Sequence, residues 1–135
     1  MNRKVMFSSA NDNYKTPSEV YNKLNDEFHF DFDPCPLNDN PEFDGLEIEW
    51  GGVNFVNPPY SRIKDWCQKA YNESRKGKRV VMLIPSRTDT QYWHDYIMKA
   101  KEIRFIKGRL KFGDSKHNAP FPSAIIIFDN NEMSP

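Results

Sequence analysis

Four consecutive residues, Asn57-Pro58-Pro59-Tyr60, have the types and spacing needed to hold a flat, amine-bearing group. Each proline fixes its own φ and removes a backbone donor. Pro58 also pushes Asn57 toward an extended conformation. The carbonyls of such a turn have no helix or ladder to join and can face a ligand. The Asn57 side chain adds an acceptor, and Tyr60 adds a ring on which a planar group can stack. A generic Pro-Pro pair would simply make a rigid turn. Here Asn precedes it, Tyr follows it, and Val53-Asn54-Phe55-Val56 alternates like a strand upstream, so the tetrapeptide reads as a site. An amine on an aromatic ring is a poor nucleophile because its lone pair is delocalised. Two acceptors on its hydrogens, Asn57 and the Pro58 carbonyl, favour a pyramidal, more nucleophilic nitrogen. Its proton can leave after attack on a methyl group, so no strong general base is required. No Ser/His/Asp set or carboxylate pair offers a different apparatus.

The elements around the tetrapeptide must place it. Upstream, Thr16-Pro17-Ser18-Glu19 reads as a helix start, with Thr16 as cap, Pro17 in the first helical position and Glu19 completing a capping box. Val20, Tyr21, Leu24 and Phe28 then form one apolar face. Phe28 to Asp33 alternates as a strand and is ended by Pro34 and Pro36. After the tetrapeptide, Ile63, Trp66, Cys67, Ala70 and Tyr71 mark an amphipathic helix closed by Gly77. Val80 to Ile84 is a continuous apolar run suited to a central strand. Ser86 to Thr90 is a polar loop, and a helix carrying Tyr92, Trp93, Tyr96, Ile97 and Ala100 follows. Ile103 to Ile106 is another strand. Leu110 to Phe112 and Ala124 to Phe128 are expected to form an antiparallel edge around a loop at 113–122. This order predicts an α/β fold, a mostly parallel sheet with an antiparallel C-terminal strand. Ligands in such sheets sit beyond the strands' carboxyl ends. Three loops leave those ends: residues 33–36, 57–60 and 85–90.

With 135 residues the chain is one domain, 1–135, with residues 1–13 expected to be loosely held. No apolar run is long enough for a bilayer and no signal peptide opens the chain, so a cytoplasmic protein is expected. Two cysteines and three scattered histidines make neither a disulfide framework nor a metal site. The net charge of zero hides a division. Residues 1–60 hold four Lys/Arg and eleven Asp/Glu, a balance of −7, and residues 61–135 hold fifteen and eight, a balance of +7. The basic half suits a polyanion, the acidic half a ligand with positive charge.

Read together, Phe7-Ser8-Ser9, Tyr14-Lys15-Thr16-Pro17, Phe32-Asp33-Pro34-Cys35, Asp44-Gly45-Leu46 with Trp50, and Asn57 to Tyr60 stand in a specific order. Pro85 to Thr90, Trp93-His94-Asp95, Gly108 to Gly113 and Ala119 to Ser123 continue it. In this order the chain resembles the small phage-type DNA N6-adenine methyltransferases that use S-adenosylmethionine. The resemblance implies a compact Rossmann-like fold and double-stranded DNA as partner. It implies that Asn57, Pro58, Pro59 and Tyr60 are catalytic. It also implies that Tyr14, Thr16 and Pro17 with Asp33, Pro34 and Cys35 meet the cofactor, Asp33 attracting its ammonium group. The glycine-rich loop usual after the first strand is absent, and Pro36-Leu37-Asn38-Asp39-Asn40 stands there.

Arg87 and Thr88 leave the central strand toward the site and suit DNA contact, although Thr88 or Asp89 can instead cap the next helix. Arg104, Lys107, Arg109, Lys111 and Lys116 form a basic series suited to phosphate, and the loop 113–122 is the candidate for base readout. Trp66 and Trp93 read as core. Two other readings stay open: methylation of another planar amine (cytosine N4, an RNA base, a glutamine amide), and a catalytically silent DNA- or cofactor-binding module. The oligomeric state is open too.

Overall fold

The structure, a computed structural model, describes residues 15–36, 43–111 and 119–130. Tyr14, Lys116, residues 1–13 and most of the 113–122 loop lie outside the described residues. The elements are α1 (Ser18–Phe28), β1 (Val53–Val56), α2 (Ile63–Ser74), β2 (Arg79–Pro85), α3 (Gln91–Asp95), β3 (Glu102–Phe105) and β4 (Ser123–Asp129). Short 3-10 turns, Tyr60–Arg62 and Ile97–Lys99, precede α2 and follow α3.

The strands form one sheet in the order β1-β2-β4-β3. β1 and β2 are parallel, Val56 lying opposite Met82. β4 runs antiparallel to both of its neighbours, β2 and β3. Three strands therefore point one way and the C-terminal strand the other, as expected. The hairpin partner of β4 is β3 rather than Leu110 to Phe112; Leu110 and Lys111 belong to the connection. β4 slots between β2 and β3 because its Ala124 to Phe128 run is apolar on both faces and gains most from two covered sides.

Alternation sorts the strand residues into two cores. Val56, Val80, Met82, Ile84, Ala124, Ile126 and Phe128 face Trp66, Cys67 and Ala70 of α2 and Tyr92 and Trp93 of α3. Phe55, Val81, Leu83, Ile125 and Ile127 face Leu24 of α1, with Val20, Tyr21 and Phe28 beside it. The sheet is thus covered by α2 and α3 on one side and by α1 on the other. Trp66 and Trp93 are core, as read. The predicted helix through Ala100 is interrupted: α3 ends at Asp95 and a 3-10 turn takes Ile97 to Lys99.

Two local expectations are corrected. The strand predicted from Phe28 is much shorter, since α1 runs through Phe28 and His29 caps it in the left-handed region at φ 58°. Only Phe32 bridges to β1, parallel, opposite Asn54. The N–H groups of Asp31 and Phe32 both donate to the Val53 carbonyl, at 2.9 and 3.3 Å. Two residues facing one is the geometry of a bulge, and it reverses the alternation. Phe30 accordingly packs with the α1-side core and Phe32 with the α2-side core.

At the amino end of β2 a buried carboxylate ties the layers together. Glu73 of α2 is 1% exposed and receives Lys78 at 2.6 Å, Lys76 at 2.9 Å and Lys69 at 3.2 Å. The Trp50 N–H also donates to it at 3.0 Å. Burial works against its charge, but Lys78, the Trp50 N–H, Lys76 and Lys69 outweigh that and hold Glu73 down at about 2.

Candidate active site

β1 ends at Val56, and its two-residue period decides where the next side chains go. Phe55 packs on the α1 side and Val56 on the α2 side, so Asn57 returns to the α1 side. There it meets the residue just ahead of α1: Asn57 Nδ2 donates to Thr16 Oγ1 at 2.9 Å. This corrects the expected capping box. Pro17 occupies the cap position of α1, no side chain caps the helix, and the Val20 and Tyr21 N–H groups donate to the Pro17 carbonyl. The Thr16 hydroxyl serves Asn57 instead.

Beyond Asn57 the prolines act as their chemistry dictates. Pro59 is extended at φ −66°, ψ 139°, and its carbonyl accepts the Arg62 N–H as the 3-10 turn begins. The Pro58 carbonyl joins no helix or ladder among the described residues. Tyr60 opens the turn half-buried on the α1 side. Its ring meets Phe121 edge to face, centroids 5.2 Å apart at 82°. The Arg87 guanidinium lies over the same Phe121 ring, 5.9 Å from its centroid.

Phe121 is thus a site residue that the sequence reading passed over except as part of the Ala119 to Ser123 motif. A usable signal was present: an aromatic between Pro120 and Pro122, immediately before a strand. The Ser86 N–H donates to the Pro122 carbonyl at 2.9 Å, so the loop after β2 and the lead into β4 are bonded to each other. That bond brings the 85–90 loop to the Asn57 to Tyr60 turn.

The third loop joins through the Phe32 bridge. Pairing with Asn54 puts Asp33 level with Phe55, two residues before Asn57, on the neighbouring chain. Asp33 Oδ1 accepts the Cys35 N–H at 2.9 Å, which folds the strand end into a tight turn. No cation among the described residues pairs with Asp33. Burial raises its carboxyl to about 6, the Cys35 N–H opposing. Pro34 is buried under Gly45, where any Cβ would overlap the Pro34 carbonyl oxygen. The Gly45 carbonyl in turn accepts Trp50 Nε1–H at 2.7 Å. Where a glycine-rich loop is absent, a turn held by Trp50 supports the acidic strand end. Cys35 is half-buried beside the α2-side core. A desolvated carboxylate that pairs with no cation among the described residues fits the ammonium end of an amino acid.

Of the proposed DNA residues, Arg87, Thr88, Arg109 and Lys111 follow the carboxyl ends of β2 and β3, on the same edge. Arg87 and Thr88 are exposed on the loop after β2. The helix cap there is Thr90, whose hydroxyl accepts the Trp93 N–H, while the Thr88 carbonyl bonds His94 Nε2 at 2.8 Å. Arg109 and Lys111 are exposed on either side of Leu110, whose carbonyl accepts the Ala119 N–H at 2.7 Å. Gly108 makes the turn before them at φ 75°, a conformation costly for other residues. Arg104 leaves the basic series. It is bidentate to Glu27 at 2.8 and 2.7 Å and also bonds Glu102, which ties β3 to the end of α1.

An α/β sheet of mostly parallel strands, with helices on both faces and three strand-end loops on one edge, is the fold of the Rossmann-like methyltransferases. The family model for DNA N-6-adenine-methyltransferase (Dam) matches residues 4–133, and the chain belongs to that family. It is also similar to the DNA N-6-adenine-methyltransferase of Haemophilus phage HP1 (strain HP1c1). The two are 28% identical over 139 residues, covering 90% of this chain and 80% of the phage protein. The protein is therefore an S-adenosylmethionine-dependent methyltransferase of adenine N6 in DNA. Among the described residues, no helix is long and apolar enough to cross a membrane, and no group of three His, Cys, Asp or Glu is placed to hold a metal.

Proposed function

We propose that the Asn57 to Tyr60 turn holds the N6 amine of an adenine extruded from double-stranded DNA. Asn57 Oδ1 and the Pro58 carbonyl accept its two hydrogens, which draws the lone pair out of the ring. Tyr60 stacks on the base, and the edge-on Phe121 fixes the angle of the Tyr60 ring. S-adenosylmethionine, when bound, supplies the electrophilic methyl group. Asp33 takes its ammonium, with Thr16, Pro17, Pro34 and Cys35 around it and Tyr14 joining the same entry segment. Arg87, Thr88, Arg109, Lys111 and Lys116 meet the phosphates.

The observation that carries this reading is the meeting of Asn57, Thr16, Tyr60 and Phe121 on the α1 side of the β1 exit. Extruding a paired base costs a few kcal/mol, which stacking on Tyr60 offsets in part. Holding the amine in line contributes to rate rather than to affinity. Asn57→Ala is therefore expected to lower the saturated rate by about 10²-fold or more while DNA affinity stays within a few-fold. A saturated rate equal to wild type overturns the assignment.

A further inference from the structure

We propose that Thr16 is a positioning residue that sets the orientation of the Asn57 amide; the inference rests on Asn57 being the amine-holding group. The two residues stand 41 positions apart and meet at 2.9 Å through Asn57 Nδ2 and Thr16 Oγ1. Both are followed by proline, Pro17 and Pro58. Each proline biases the residue before it toward extended backbone, so both side chains leave restrained chain. The hydroxyl has an obvious competing use. A threonine ahead of a helix normally bonds a first-turn N–H. Here Pro17 takes the cap position, no side chain caps α1, and the Val20 and Tyr21 N–H groups bond the Pro17 carbonyl. Thr16 is thus placed for Asn57 in preference to its own helix.

A primary amide is two-sided. With Nδ2 held by Thr16, Oδ1 is turned to the opposite side, which is the side an amine donor needs. A hydroxyl that accepts from Nδ2 still has its own hydrogen to give to another group. Replacing it by a methyl group removes that acceptor from Nδ2 and with it one restraint on the amide's orientation. The loss then falls on the alignment of the reacting nitrogen, and misalignment of about 1 Å costs on the order of 10²-fold in rate.

The experiment is a mutant cycle on the full chain, read by single-turnover methyl transfer at saturating cofactor and DNA and by calorimetric titration of S-adenosylmethionine. Thr16→Val is expected to slow transfer about 10- to 100-fold at saturating cofactor and DNA, a loss that further cofactor does not restore whatever the change in cofactor Kd. Thr16→Ser, which keeps the oxygen, restores most of the rate. In an Asn57→Ala background Thr16→Val has no further effect, because the group it positions is gone. If Thr16→Val unfolds in urea well before wild type, Thr16→Ala takes its place in the cycle. A Thr16→Val enzyme with a raised cofactor Kd and an unchanged saturated rate overturns the proposal and leaves Thr16 a cofactor contact alone. Equal slowing in both backgrounds overturns it as well. Full rate in Asn57→Ala is a different failure, that of the Asn57 assignment itself. It is distinguished by Asn57→Ala being fast, whereas failure of the Thr16 link leaves Asn57→Ala slow.

Discussion

Asp33→Asn separates what the site needs from what the fold prefers. Burial raises the Asp33 carboxyl to about 6 from its ordinary 3.8, opposed by the Cys35 N–H. A folded pKa above the unfolded one means that folding favours the neutral acid. That contribution is fully present below the unfolded value of 3.8 and is lost as pH rises through about 6. A shift of about two units corresponds to about 3 kcal/mol. Partial solvent screening of a half-buried carboxyl brings this to about 1–2 kcal/mol. Asn is neutral throughout and can still accept the Cys35 N–H. In urea unfolding the variant is therefore expected to match wild type near pH 4 and to exceed it by about 1–2 kcal/mol near pH 8. Cofactor affinity moves the opposite way. Calorimetry near pH 8 should show S-adenosylmethionine binding at least about tenfold weaker to the variant, and wild-type affinity should decline below about pH 6 as Asp33 takes up its proton. A variant less stable than wild type near pH 8, or one with wild-type cofactor affinity there, would refute the reasoning.

Glu73→Gln should cost about 1–3 kcal/mol in urea unfolding at neutral pH, because three partly exposed ammonium groups lose the carboxylate they surround but keep access to water. The sign of its pH dependence is opposite to that of Asp33. With Glu73 held at about 2 against an ordinary 4.5, its stabilisation is present above 4.5 and is lost as pH falls toward 2, a window that wild-type acid unfolding should show and the variant should not. On the DNA side, Arg109→Ala and Lys111→Ala should each weaken binding across sequences and flatten the dependence of log K on log salt by about one unit, measured by fluorescence anisotropy.

The parts of the site written in consecutive residues were legible in the chain. Asn57 to Tyr60 needs no tertiary information to be rigid, since the two prolines determine its backbone. The run from Val80 to Ile84 likewise declares a buried strand by composition, and it is the centre of the sheet. What depended on distant partners was not legible. Thr16 looked like a helix cap because local pattern favours caps, and only the fold brings Asn57 to its hydroxyl. The alternation of Phe28, Phe30 and Phe32 suggested one strand. The paired N–H groups of Asp31 and Phe32 on one carbonyl split those rings between two cores. Arg104 looked like a phosphate contact until α1 delivered Glu27 to it. Phe121 became a site residue through Tyr60 and Arg87, whose loops meet it only after β4 has paired with β2.

The role of Asn57 is tested most directly by transfer of a labelled methyl group from S-adenosylmethionine to unmethylated duplex DNA, followed by digestion to nucleosides, for wild type and Asn57→Ala in parallel. The expected result is label in N6-methyladenine for wild type and a saturated rate at least about 10²-fold lower for the variant, with DNA affinity retained. Label in N4-methylcytosine or in protein, or a variant that forms N6-methyladenine at the wild-type rate, would contradict it.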